Sequence, residues 1–211
     1  MPPPSDLVFF HNPHSRATMT HALLEELGAD YEPRVLDFRK HEQLSPEYLA
    51  INPMGKVPAI RQGGVVVTET VAIFIYLADL YRNAGLAPAL DDPQRGTYLR
   101  WLVFYAACFE PAMVDRAIQR APAPRTQLPY ADFDTTLNAI TQALQPGPWL
   151  LGGHFSAADV LWGSALRWVT GFGMVQATPA IAAYVERVTS RPAAQRARKA
   201  DEALAATMGL A

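Results

Sequence analysis

The sequence predicts an α/β domain of about eighty residues followed by an all-α domain. Strand and helix patterns alternate up to about residue 82, and nothing downstream alternates like a strand. The texture breaks at "NAGLAPALDDP", residues 83–93, where Gly, Pro and Asp crowd together. Beyond it, apolar residues recur with helical spacing in segments separated by Pro- and Gly-rich turns.

The first element is "LVFFH", a short apolar run that reads as a buried strand. A polar loop, Asn12-Pro13-His14-Ser15-Arg16, leads into a helix whose Met19, Leu23 and Leu27 share one face while Glu25 and Glu26 face water. His21 packs on this helix, and Gly28 supplies its stop. "YEPRVLDF" is the second strand and "SPEYLAI" a short helical piece. "NPMGKVPAI" and "GGVVVTET" are two strands joined at Gln62-Gly63-Gly64, and a helix from about Glu69 to Arg82 closes the unit. A βαβ unit, a hairpin and a helix give a four-stranded mixed sheet with helices on its faces, the pattern of a thioredoxin-like domain.

Residues 84–92 read as a linker. Asp92 and Pro93 suit an N-cap and first helical position for a long helix through "YLRWLVFYAACFEPAMVDRAIQR", which Pro111 must kink or interrupt. Further helices are expected near 130–145, 156–170, 179–190 and 193–206. The predicted domains are therefore 1–83, α/β, and 93–211, all-helical. "MPPP" and "APAP" read as flexible or polyproline-like segments.

Composition narrows the function. Half of the 211 residues are apolar and 18% are charged, as in a soluble globular protein. A net charge of −2 gives no basic field for nucleic acid. Cys108 is the single cysteine, so an internal disulfide framework, a CxxC pair and a zinc-ribbon site are excluded, and a reducing cytoplasm is expected. "MPPPSD" lacks the features of a leader, and no apolar run approaches a membrane span of about eighteen residues. His11 and His14 stand three apart without further ligands at metal-site spacing, so no metal is expected.

With "NPMGKVPAI", "TETVAIFIYLAD", "FSAADVLWGSAL" and "YVERVTSRPAAQRA" the chain resembles the cytosolic glutathione transferases along essentially its whole length, bacterial members included. "NPMGKVPAI" is similar to the stretch in which the residue before a cis proline pairs its backbone with the cysteinyl unit of glutathione; here these are Val57 and Pro58. "TETVAIFIYLAD" resembles the acidic-residue-plus-serine signature that opens the third helix, with Glu69 in place and Thr70 where serine is usual. "FSAADVLWGSAL" resembles the N-capping box of the helical domain, with Ser156 and Asp159 read as structural. "YVERVTSRPAAQRA" is also of the family's type.

The resemblance implies a cytoplasmic, dimeric detoxification enzyme with glutathione as co-substrate, a hydrophobic electrophile held by the helical domain, and neither nucleic acid nor membrane as a partner. Glutathione carries two carboxylates, an ammonium and a thiol. Val57 would bind it as an added strand, Thr70 would donate to the γ-glutamyl carboxylate and Glu69 would accept from the ammonium. Lys56 is the first choice for the glycyl carboxylate, with Gln43 and His41 behind it. Trp101, Tyr105 and Cys108 lie on a helical face divided between core and co-substrate pocket. Glutathione-dependent disulfide or peroxide reduction, and non-catalytic binding of glutathione or a hydrophobic ligand, are the alternatives.

The thiol must be activated. A free thiol titrates near 8.5, and lowering that by about two units takes roughly 2.7 kcal/mol of differential stabilisation. A loop that aims a helix N-terminus above a strand supplies part of it. Ungapped alignment on Glu25–Gly28 puts Arg16 at the family's bacterial cysteine position and His14 at its serine position, with Ser15 one residue on. Because "NPxSR" recurs in bacterial members, Ser15 is the preferred donor and His14 the second. Asn12 can donate through its amide, and Arg16 can attract the anionic ligand or remain in solvent. Ser15 equally suits a plain helix cap.

Overall fold

A computed structural model of the chain describes residues 6–121 and 123–210. The run read as a polyproline-like N-terminal end, and Pro122 within "APAP", lie outside the described residues. The chain divides into two units, one running to Gly85 and resuming at Ser190, the other Leu86–Thr189.

The first unit contains β1 (Leu7–His11), α1 (Ala17–Leu27), β2 (Glu32–Val35), the short α2 (Pro46–Leu49), β3 (Ala59–Gln62), β4 (Val65–Thr68) and α3 (Thr70–Leu80). Its four strands lie in the order β2-β1-β3-β4, with β1 and β2 parallel and the other neighbours antiparallel. Every residue of β1 is buried, which explains a continuous apolar run in place of an alternating one. β2 is an edge strand, exposed over most of its length and tolerant of Pro33. Gly28 ends α1 in the left-handed conformation, φ 61°, that glycine adopts without steric cost.

This unit also holds α9 (Pro192–Thr207), which the sequence places in the helical half. Glu25 and Glu26 of α1, expected in water, turn to this helix instead. Arg191 makes a two-pronged pair with Glu26 at 2.7 Å, and Arg196 Nε donates to Glu25 at 2.8 Å. The buried positions of α9 are Ala193, Ala197, Asp201 and Ala205, so it has no stripe of large apolar residues that would announce its partner.

The second unit is helical: α4 (Arg95–Phe104), a π-helical turn at Tyr105–Phe109, α5 (Glu110–Ala117), α6 (Phe133–Ala143), α7 (Ala157–Gly171) and α8 (Pro179–Thr189). α4 starts later than Asp92-Pro93 because Asp92 closes a turn ahead of it. The Asp92 side chain accepts from Gln94 N at 2.7 Å and its carbonyl from Arg95 N at 2.9 Å. Pro111 interrupts the long helix as expected. Its ring cannot donate to the preceding turn, and Glu110 N reaches back five residues to Tyr105 O.

The core of this unit is aromatic. The Trp162 ring packs edge-on against Trp101, Tyr105 and Phe109 at centroid separations of 6.2, 5.8 and 4.9 Å, and its Nε1–H donates to Trp101 O at 3.0 Å. The α7 cap is as predicted. The Asp159 carboxylate accepts from Ser156 N and Ser156 Oγ at 2.9 Å, and from Leu150 N and the Tyr184 hydroxyl at 2.8 Å. Among the described residues, no helix is long and apolar enough to cross a membrane.

Candidate functional site

Sheet register gathers the candidate residues at one edge. Phe10 pairs with Ala59 and Ala59 with Thr68, so the loop after β1, the chain before β3 and the chain after β4 leave the sheet at the same end. These segments are Asn12–Arg16, Lys56–Pro58 and Glu69–Thr70.

Before β3 the Val57–Pro58 peptide is cis, and Pro58 is buried. The Val57 N–H and C=O have no partner among the described residues, which leaves a two-point backbone edge for an extended ligand. The neighbouring Lys56 carbonyl is occupied, accepting from the Tyr48 hydroxyl at 2.6 Å and Asn52 Nδ2 at 2.8 Å. These two bonds hold the turn that presents Val57. Sequence reading passed over Tyr48 and Asn52, whose only signal is their place in "PEYLAINP" ahead of the motif. Burial raises the Tyr48 phenol to about 12, against a smaller lowering by the neighbouring Asn52 amide as a donor, so it remains protonated and donates at neutral pH.

Gly55, at φ +60°, lets the Gln43 carbonyl approach so closely that a Cβ would lie 2.9 Å from it. This brings the chain around His41 and Gln43 against the Val57 turn. The Gln43 Oε1 is buried with no hydrogen-bond partner among the described residues, while Lys56 and His41 are exposed. Lys56 thus has the freedom a carboxylate-binding cation needs.

After β4, Glu69 takes φ 68° and ψ 120°, a backbone conformation that costs a non-glycine residue about 1–3 kcal/mol. Its side chain is exposed and makes no bond to the helix, and α3 begins directly at half-buried Thr70. Such strain survives where the surroundings over-determine it, and here it turns the chain abruptly from β4 into a helix N-terminus with free N–H groups. Nothing in the residue type signals this conformation.

In the β1–α1 loop, Asn12 is 2% exposed: Nδ2 donates to Leu36 O at 2.8 Å and Oδ1 accepts from His14 N at 2.9 Å. Its amide braces the loop. Ser15 Oγ donates to Asn12 O at 2.7 Å and accepts from Ala17 N at 3.1 Å, so the capping role is present. The Ser15 backbone N–H has no acceptor among the described residues. His14 and Arg16 are exposed.

Of the helical-unit residues, Trp101 is 3% and Tyr105 2% exposed, both packed on Trp162, and the Tyr105 hydroxyl donates to Glu110. These two side chains serve the core. Cys108 is half-buried with Sγ 3.6 Å from Pro129 O, and burial pushes its thiol up, away from nucleophilic use.

Comparison with known proteins matches a segment of each unit. The family model for the N-terminal domain of glutathione S-transferase matches residues 5–79, and that for the C-terminal domain matches residues 125–187. The disulfide-bond oxidoreductase YfcG of Escherichia coli strain K12 is 30% identical over 206 residues, covering 91% of this chain and 93% of that protein. A glutathione transferase from Methylococcus capsulatus strain Bath superposes with a TM-score of 0.80 at 30% identity, covering 93% and 99% of the two chains. A sphingomonad glutathione S-transferase complexed with glutathione gives 0.77 at 30% identity, covering 92% and 98%. With this likeness extending along both units, the chain belongs to the glutathione S-transferase family.

Proposed function

We propose that this chain is a glutathione transferase that binds the tripeptide along Val57 and the α3 N-terminus, holds its sulfur as a thiolate at the β1–α1 loop, and conjugates it to a hydrophobic electrophile. The observation that carries this reading is the unpaired Val57 backbone at the sheet end where Thr70 and the Ser15 region also emerge. The γ-glutamyl carboxylate belongs at Thr70 and the α3 N-terminus, its ammonium at Glu69, and the glycyl carboxylate at Lys56, with Gln43 beside it. The thiolate sulfur forms a bond to the electrophilic carbon, and the leaving group departs with its electron pair. No cysteine stands in the β1–α1 loop, so the protein contributes positioning and electrostatics rather than a covalent intermediate.

Likeness to YfcG favours a second reading, reduction of a glutathione mixed disulfide at the same site. Rates with a chloro-nitroaromatic and with a small mixed disulfide separate the two. Conjugation is expected to dominate, and turnover of the disulfide alone would overturn the first reading.

We further assign a homodimer, an isologous pair being the commonest oligomer, and a cytoplasmic location. Two exposed features support the dimer: Val103, 51% exposed on α4, and the α3 groove lined by Ala72, Ile75, Tyr76 and Leu80. Light scattering at micromolar concentration is expected to give twice the 23.1 kDa chain mass, and a monomer mass would overturn the assignment.

A further inference from the structure

Asp201 of α9, His11 at the end of β1 and His21 within α1 are all buried and converge on one point. Asp201 Oδ1 accepts from His21 Nδ1 at 2.6 Å and lies 2.9 Å from His11 Nε2. His21 therefore does more than pack on its helix, and the nearest partners of His11 are Asp201 and His21 rather than His14. The three ligating atoms lie within 4.8 Å of one another, a grouping that invites a metal ion. Both separations, a hydrogen bond from His21 and an ion-pair contact from His11 whose Nε2 makes no hydrogen bond of good geometry, are however shorter than the roughly 3.3 Å between two ligands of one tetrahedral ion. A carboxylate shared by two imidazoles accounts for the cluster better.

A buried carboxylate is a costly way to attach a helix. α9 already has Arg191–Glu26 and Arg196–Glu25 as anchors on α1. What Asp201 adds is an acceptor at the residue from which the β1–α1 loop departs. The His11 ring stacks on Phe9 at 5.0 Å and stands edge-on to His21 at 5.4 Å, and the His11 carbonyl accepts from Leu36 N at 2.9 Å. The next residue is Asn12, whose side chain and carbonyl brace His14 and Ser15.

We propose that Asp201 is a positioning residue of the glutathione site: it sets the His11 ring and, through the His11–Asn12 peptide, the loop that holds the thiolate. This rests on the reading of that loop given above. The facing titratable groups are His11 from β1, His21 and Glu25 from α1, and Tyr31 from the chain before β2. Burial pushes Asp201 up, but the close contacts of both imidazoles and their charge outweigh it, holding the carboxyl below its usual range. The group is thus an anionic acceptor throughout the neutral range.

The test is the ultraviolet thiolate titration of bound glutathione, with the pH profile of kcat. Asp201→Leu keeps an apolar packing group and removes the acceptor. It is expected to raise the thiol midpoint by about 0.5–1 pH unit, lowering neutral kcat roughly three- to tenfold, with the glutathione KM changed less than about twofold. Asp201→Asn retains an acceptor oxygen and should recover most of the shift. His11→Phe keeps the ring on Phe9 without the acidic pairing and should reproduce it, which preserves the test if Asp201→Leu does not fold. Lower melting temperatures with an unmoved titration and profile would overturn the proposal and leave Asp201 as an anchor for α9. A wild-type bound thiol that titrates as in free glutathione would overturn the loop reading itself, and this inference with it.

Discussion

Asp159→Ala is expected to destabilise the protein by about 3–5 kcal/mol, the largest single-residue effect predicted here, because it strands several buried donors at once. Asp159 is 0% exposed and its two oxygens collect the Ser156 N–H and hydroxyl, the Leu150 N–H and the Tyr184 hydroxyl. Removing the carboxylate uncaps α7 and at the same time detaches the preceding turn and α8. Asp159→Asn keeps one acceptor oxygen but aims an amide N–H at donors, and should cost about half as much. The sign of the pH effect follows from burial, which pushes Asp159 above the usual carboxylate value of 3.8 against the lowering by its hydrogen bonds. The folded chain then keeps that proton to higher pH than the unfolded chain. For this group alone, stability falls as pH rises from 3.8 through the raised folded value, and Asp159→Asn should remove that slope. Denaturant midpoints across the acid range check both statements, and a loss below about 1 kcal/mol for Asp159→Ala would show that the network is dispensable.

Ser15→Ala is expected to lower turnover at neutral pH roughly ten- to a hundredfold with glutathione affinity nearly intact, since the loss is one charge-assisted bond of about 1.5–3 kcal/mol. Activity should partly recover at alkaline pH as the thiol ionises unaided. The Ser15 hydroxyl now donates to Asn12 O at 2.7 Å, so the mechanism requires it to exchange that carbonyl for the sulfur when glutathione binds. The substitution also removes the acceptor for Ala17 N, a separate stability cost of about 1 kcal/mol. His14→Ala discriminates the donors. If it alone raises the bound-thiol titration, the exposed imidazole stabilises the sulfur and Ser15 only caps. If neither variant moves it, the unpaired Ser15 backbone N–H or Arg16 carries the stabilisation, and the side-chain assignment fails.

The elements legible in the sequence were those whose cause is local. β1 is apolar up to His11 because it is buried along its length, and Gly28, Pro111 and the Ser156–Asp159 spacing each act within a turn of their own position. The Val57–Pro58 and Glu69–Thr70 motifs were legible through their resemblance to the family's signatures, and the structure places both at one sheet end, with Val57–Pro58 cis. Illegible were the strained φ of Glu69, which its neighbours impose, and the brace from Tyr48 and Asn52, which depends on where the Lys56 carbonyl points. Trp101 and Tyr105 had equal claims to core and pocket until Trp162, some sixty residues away in the chain, was placed against them.

By itself, then, the sequence determined the two-part architecture and the order of the elements, because periodicity, turn chemistry and caps act over a few residues, whereas the backbone expected to meet an extended peptide was indicated by resemblance to the family's motifs. Only the tertiary structure decided that α9 joins the α/β unit, that Asn12 is a brace, and that Asp201 meets His11 and His21. The physical reason is common to all three. These contacts join residues far apart in sequence through polar groups and alanines, and such contacts leave no hydrophobic period for a linear reading to detect.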